Sequence, residues 1–266
     1  MFSAINKKSI ILADSHCHLN FKDFDADRDL VINAAFQNGI KMMIEVGTDV
    51  VYSQKAVGLA EKYPFVYAAV GIHPTDSVGT DTNDFLEIKK LAENKKVVAI
   101  GEVGLDFYRI KDNKEKKIQE NLFIKQIEIA QKNNLPLIIH CRDAFSRTIE
   151  ILKETKVQKA VFHCFTGTLK HLEKILENGW FVSFTGIVTF KNASNVHKAA
   201  FQVPLDKFFL ETDCPFLAPQ SRRGQRAEPK DVIEIAQKIA EIKKISFEEL
   251  ALKTFSNTLE FFDIKV

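Results

Sequence analysis

The chain of 266 residues has only four cysteines, and they form neither a CxxC pair nor a compact disulfide pattern. That argues against a disulfide-stapled secreted domain and fits a reducing compartment, so a cytoplasmic protein is expected. Long apolar runs are missing as well. The opening Met1–Lys8 has no apolar leader core, and no later segment approaches the length that spans a bilayer, so no membrane partner is expected. Charge of one sign is scarce: the formal net charge of +2 excludes a broadly basic nucleic-acid coat while leaving room for a local basic patch. Gly/Ser/Pro-rich linkers, internal repeats and low-complexity tracts are absent, which points to one domain over residues 1–266.

What the chain does have is an ordinary apolar share of 45% and a regular alternation of short β-branched runs with longer stretches of helical period. Strands are expected at Ile10–His16, Lys41–Val46, Val66–Ile72, Val97–Glu102, Pro136–Cys141, Ala160–His163, Trp180–Phe184 and Phe208–Glu211. Helices are expected at Asp25–Asn38, Val51–Lys62, Asp84–Glu93, Lys116–Asn133, Ala144–Thr155, Leu169–Asn178, Pro229–Ile242 and Phe247–Phe262. Gly39 and Gly179 suit the left-handed position that ends a helix, Pro229 suits a first helical position, and Ser246 with Glu249 reads as a capping box. Eight strands alternating with helices predict an α/β fold of the (β/α)8 barrel type; a doubly wound open sheet is the alternative.

Five of the seven histidines, His16, His18, His73, His140 and His163, fall at or just beyond the C-terminal ends of expected strands. In a barrel those ends converge on one face, where active sites are built. His16 and His18 are two apart, so on a strand both imidazoles project to the same side and can serve one cation. Glu102 ends the fourth strand, where burial is costly unless a cation or hydrogen bonds compensate it, and it can offer one oxygen to each of two metals. His140 and His163 end the next two strands, and Asp213 follows the eighth, placed to orient or deprotonate a water. Nitrogen and oxygen donors without thiolate suit ions such as Mg, Mn or Zn, and two of them about 3.5–4 Å apart would serve a phosphoryl displacement. Each cysteine, Cys17, Cys141, Cys164 and Cys214, directly follows a proposed ligand, so strand alternation turns it away as a small packing residue, with Cys214 at the loop boundary.

The ordered motifs DSHCHL, GIHP, GEVGLDFYR, IHCRDA, HCFTG, ETDCPFLAP and NTLEFF run from Asp14 nearly to the C-terminus. Together they resemble the TatD family of metal-dependent deoxyribonucleases, within the wider amidohydrolase-like barrels. The resemblance implies one metal on His16, His18, Glu102 and Asp213, and a second on Glu102, His140 and His163. Two departures bear on substrate contacts: Thr75 stands where the family often has a second histidine, and Arg226-Ala227-Glu228-Pro229 stands for its usual RNEP.

His73, Arg109 and Arg226 are expected at substrate phosphates, and Glu211 is expected to orient a ligand. Cations gather in the loops after strand four (Arg109, Lys111, Lys114, Lys116, Lys117) and strand eight (Arg222, Arg223, Arg226), and Phe107, Tyr108 and Phe190 could stack on an unpaired base. The expected activity is metal-dependent hydrolysis of DNA, as a 3′ exonuclease on single strands or frayed ends, with Glu102 and Asp213 catalytic. An amide or ester hydrolase, such as a D-aminoacyl-tRNA deacylase, and a non-catalytic binding barrel are the alternatives.

Overall fold

In the computed structural model, which describes residues 11–265, eight parallel strands stand side by side in chain order. They are β1 (Leu12–Cys17), β2 (Ile40–Val46), β3 (Val66–Val70), β4 (Val97–Asp106), β5 (Leu137–Arg142), β6 (Ala160–Phe162), β7 (Phe181–Phe184) and β8 (Phe208–Leu210). The two edges meet just past β8, where Asp213 N–H donates to His16 O and His18 N–H donates to Cys214 O, each at 2.9 Å. Buried Asp14 pins the same seam, accepting from the Thr212 N–H at 2.9 Å and the Thr212 hydroxyl at 2.6 Å. The fold is the expected (β/α)8 barrel. Consecutive strand order excludes the doubly wound sheet, whose order reverses at a switch point.

The helices are α1 (Arg28–Gln37), α2 (Val50–Lys62), α3 (Thr82–Leu91), α4 (Asn113–Lys132), α5 (Phe145–Glu154), α6 (Leu169–Glu177), α7 (Ser194–Gln202), α8 (Val232–Lys243) and α9 (Phe247–Phe261). Helix α7 was not expected: its buried stripe is only Val196, Ala199 and Ala200, and no side chain caps it at Ala193. Three starts also shift. Residues 25–27 form turns before α1; Asp112 caps α4 by accepting from the Lys114 and Glu115 N–H groups; Pro229 opens a 3-10 turn, with α8 following from Val232. Gly39 and Gly179 adopt the expected positive φ, and Ser246 supplies one arm of the capping box by accepting from Glu249 N–H at 3.1 Å. The expected first residue of β1, Ile10, lies outside the described residues.

Two apolar layers form the core. The larger lies between sheet and helices; the smaller fills the barrel, drawing Ala13, Met42, Ala99, Ile138 and Val161 mainly from the first halves of their strands. Phe261 and Phe262 at the end of α9 pack on Phe209 there, with ring centroids 5.0 and 5.8 Å away. The later halves of the strands are thereby left to polar residues. Two register shifts deliver them. One lies between Asp14 and Cys17 on β1, the other between Ile100 and Val103 on β4. Ala13 and His16, and likewise Ala99 and Glu102, are three apart, and would face opposite sides of a regular strand. The extra residue at each bulge lets both members face inward.

Candidate metal centre

The carboxylate of Glu102 stands at the centre of the barrel mouth. Its Oε1 lies 2.6 Å from His140 Nδ1, 2.8 Å from His163 Nε2 and 3.4 Å from His73 Nε2. Its Oε2 lies 3.5 Å from His16 Nε2 and 3.7 Å from His18 Nε2. Asp213 Oδ1 closes the second side, 3.4 Å from His18 Nε2 and 3.7 Å from His16 Nε2. The six residues expected as ligands are thus brought together, with His73 beside them. His171, at the start of α6, and His197, bonded to Val188 O, lie elsewhere. Glu102 is not at a strand end: β4 continues to Asp106, and Gly104 makes this possible. A Cβ on Gly104 would sit 2.1 Å from His140 O, and its φ is +138°.

Hydrogen bonds sort the imidazoles. His18 Nδ1 donates to Val46 O at 2.9 Å, which leaves Nε2 with its lone pair toward the cluster. His140 Nε2 faces Asp106 Oδ2 at 3.2 Å, which turns Nδ1 toward Glu102 Oε1 and the centre of the cluster. His73 is the opposite case. Its Nδ1 accepts from Thr75 N–H at 3.2 Å, so a neutral ring carries its proton on Nε2 and offers an N–H rather than a lone pair. Thr75, one of the two family departures, also contacts that Nδ1 through its hydroxyl at 2.6 Å.

The donor set fits divalent cations on a specific observation. His16 Nε2 and His18 Nε2 point at each other 3.1 Å apart, while His16 Nδ1 is buried without a hydrogen-bond partner. Two lone pairs in that arrangement repel unless a proton or a cation lies between them. Three overlapping groups, His16/His18/Asp213, His16/Glu102/His163 and His73/Glu102/His140, have ligand atoms within 4.8 Å of one another.

The electrostatics agree. Burial alone would raise Glu102, but the charges of His163 and His73 and hydrogen bonds from His140 and His16 hold its carboxyl well below the usual range. Burial is likewise overcome at Asp213, where His18 and His16 keep the carboxyl low. Against its own burial, His163 is held well above the usual imidazole value by Glu102 and Glu211. His16 and His73 go down because burial dominates. The result is two ionised carboxylates ringed by imidazoles.

Glu211 accepts from Cys164 N–H at 2.6 Å and from the Ser183 hydroxyl at 2.7 Å, and its Oε1 lies 3.6 Å from His163 Nδ1, too far for a hydrogen bond. Arg109 has an exposed side chain, while its N–H donates to Asp106 Oδ1 at 2.7 Å. Arg226, expected at a phosphate, has its guanidinium on both carboxylate oxygens of Asp27 at 2.8 and 2.6 Å and over Phe24, tying the β8 loop to the β1 loop. Arg222 is similarly bound to Asp231 at 2.7 Å and Lys117 to Glu120 at 3.1 Å, so the basic loops carry less free charge than their composition implies. Cys17 faces the helix layer, near Ile44 O, and Cys141 faces α5 through Thr148, as strand alternation predicts. Cys164 and Cys214 lie beyond β6 and β8, where alternation does not apply. Burial pushes the thiols of Cys141 and Cys164 up to about 12, so both stay protonated.

Three supporting residues escaped the sequence reading. Asp106 holds His140; the signal was its parity with Glu102, four residues on. Asp14 holds the seam. Glu45, fully buried on β2, accepts from Asn20 N–H at 2.7 Å and so fixes the turn that carries His18. In the sequence Glu45 shows only as a lone charge between Ile44 and Val46 of an expected strand, and nothing there names Asn20 as its partner.

Comparison with known proteins gives the site its relatives. The family model described as TatD related DNase matches residues 13–263. The Bacillus subtilis protein YabD, an uncharacterized metal-dependent hydrolase, is 40% identical over 256 residues, which cover 96% of this chain and all of that one. TatD of Erwinia tasmaniensis, named a 3′-5′ ssDNA/RNA exonuclease, is 35% identical over 94% of this chain and 99% of its own. Among solved structures, the TatD homologue YjjV of Escherichia coli superposes with a TM-score of 0.90 at 28% identity, covering 96% of this chain and 98% of that one. With the barrel, the clustered histidines and carboxylates, and a family match over almost the whole chain, the protein belongs to the TatD family of metal-dependent hydrolases.

Proposed function

We propose that the protein is a single-domain nuclease that uses two divalent metal ions to hydrolyse phosphodiester bonds of DNA, acting from the 3′ end on single strands or frayed ends. One observation carries this reading: Glu102 turns one oxygen to His16 and His18 and the other to His140 and His163, with Asp213 beside the first pair. His16, His18, Glu102 and Asp213 would hold one ion and Glu102, His140 and His163 the other. Divalent ions such as Mg, Mn or Zn would supply Lewis acidity toward the phosphoryl oxygens and neutralise charge developing at phosphorus.

The chain's own residues do the rest. Asp213, kept ionised by His18 and His16, accepts the proton of the attacking water at a carboxylate oxygen. His73, neutral and with its proton on Nε2, donates a hydrogen bond to a phosphoryl oxygen at the Glu102 side of the site. Exposed Arg109, on the loop after β4, is free to grip a flanking phosphate. Single-stranded substrate and 3′ polarity are supported by the name of the Erwinia relative.

The test is to strip the protein with a chelator and restore Mg, Mn or Zn singly. Each form is assayed on end-labelled single- and double-stranded DNA, RNA, a phosphomonoester and a D-aminoacyl ester. Shortening of single-stranded DNA from its 3′ end is expected, and Glu102→Ala and His140→Ala should each lose about a hundredfold or more in rate. Full DNase activity in either variant, or hydrolysis confined to the aminoacyl ester, overturns the reading.

A further inference from the structure

Among the described residues, two large aromatic rings stand exposed on the catalytic face, Tyr108 after β4 (53%) and Phe216 after β8 (52%). In an eight-stranded barrel with consecutive order these loops lie on opposite sides of the mouth. They are not equivalent. The Arg142 guanidinium covers one face of Tyr108, 3.8 Å from the ring centroid.

Phe216 instead ends a row of rings that starts at the metal centre. Phe21 stacks on the His18 imidazole at 4.7 Å and 17°, and Phe216 meets Phe21 edge-on at 6.2 Å. Tyr52 leans on the same Phe21 at 4.6 Å and carries the Lys55 ammonium 4.8 Å from its centroid. The backbone holds the row in place: Phe216 N–H donates to Asp213 O at 3.0 Å, so this ring is tied to the same turn as a proposed ligand. Phe216 thus presents a half-exposed ring to solvent, one ring removed from the His18 imidazole.

We infer that Phe216 is a stacking platform for an unpaired nucleobase next to the cleaved phosphodiester, with Lys55 facing a neighbouring phosphate. The inference rests on the reading of single-stranded nucleic acid as substrate. The chemistry matches: every nucleobase presents a flat π-face, stacking tolerates any sequence, and a cation beside the rings suits a polyanion. A base inside a duplex is stacked on both faces and a terminal pair on one, so the platform favours single strands and frayed ends.

Phe216→Leu keeps the apolar bulk against Phe21 but removes the flat ring, and Phe216→Trp restores one. On a single-stranded oligonucleotide, Phe216→Leu should raise KM about tenfold with kcat within about twofold, and Phe216→Trp should return KM to the wild-type value. Stacking is also read directly on the metal-loaded protein, with an oligonucleotide of phosphorothioate linkages carrying 2-aminopurine at its 3′ end. Its fluorescence should be quenched by the wild type and Phe216→Trp but not by Phe216→Leu. Cleavage of DNA with equal KM and equal quench in the Leu and Trp variants overturns the platform and leaves the nuclease reading standing. Quench lost only in Phe216→Leu, with no cleavage by the wild type, upholds base stacking and overturns the nuclease reading. A fall in kcat with unchanged KM in Phe216→Leu assigns the ring to support of Asp213 and overturns the platform.

Discussion

Glu45 shows how a single buried carboxylate can shape the site without touching it. It lies in the sheet–helix layer with no exposed surface, and burial raises its pKa to about 7 in spite of the Asn20 N–H bond. An unfolded glutamate ionises near 4.5. Between those values the folded protein keeps a proton that the unfolded chain has released, so stability falls as pH rises from about 4.5 to about 7 and then levels off. The shift corresponds to roughly 3 kcal/mol at neutral pH. Glu45→Gln removes that titration and keeps an acceptor for Asn20. Urea melts at pH 5 and pH 8 should show the variant gaining on the wild type at the higher pH; an equal difference at both would sink the idea. Residues of this kind mark where the sequence became illegible. His16, His18, Glu102, His140, His163 and Asp213 could be named because charged or titratable groups after apolar runs are conspicuous. Glu45 and Asp14 sit among apolar neighbours too, but their partners, Asn20 and Thr212, are set by tertiary contact. The Arg226 ion pair was hidden for the same reason, since Asp27 is 199 residues away along the chain.

At the scale of the element, strand period located every strand, yet missed the bulges in β1 and β4 that aim the ligands. A bulge exists only relative to a partner strand, and alternation within one strand cannot show it. The reach of β4 past Glu102 was hidden by Gly104, which reads as a strand end and in fact permits strand continuation beside β5. That gives a sharp expectation for Gly104→Ala. The added methyl would fall 2.1 Å from the backbone oxygen of His140, in a conformation (φ +138°) that side chains rarely adopt. Backbone strain of this type costs about 1–3 kcal/mol, and the clash with fixed backbone adds to it. Denaturant midpoints should therefore drop by an amount worth about 3 kcal/mol or more, with metal affinity falling as His140 is displaced. A variant as stable as the wild type would mean that the β4–β5 contact is looser than described. Helix α7 was missed for a converse reason: three small or medium buried residues are too weak a stripe to stand out from a loop.

For the molecule as a whole, the cluster couples folding to both protons and metal. Held above their usual values by the facing carboxylates, His18, His140 and His163 stay protonated in the metal-free fold at pH values where the unfolded chain has lost those protons. A raised folded-state pKa stabilises below the unfolded value, near 6.5, and that stabilisation fades as pH climbs through the folded value. His16 and His73, lowered by burial, are neutral in both states above that point and add no slope there. The metal-free protein should thus lose stability as pH rises above about 6.5. A cation must displace those same protons, so its affinity rises over the same interval, and binding adds stability through RT ln(1 + [M]/Kd), about 2.7 kcal/mol at a hundredfold excess over Kd. The two trends have opposite sign. Thermal melts in chelator and in excess Mn should therefore diverge, with the difference in Tm wider at pH 8.5 than at pH 7. Calorimetric titrations in buffers of different ionisation enthalpy should register proton release on binding. A Tm gap that narrows with pH, or binding without proton release, would show that the raised histidines do not meet the metal.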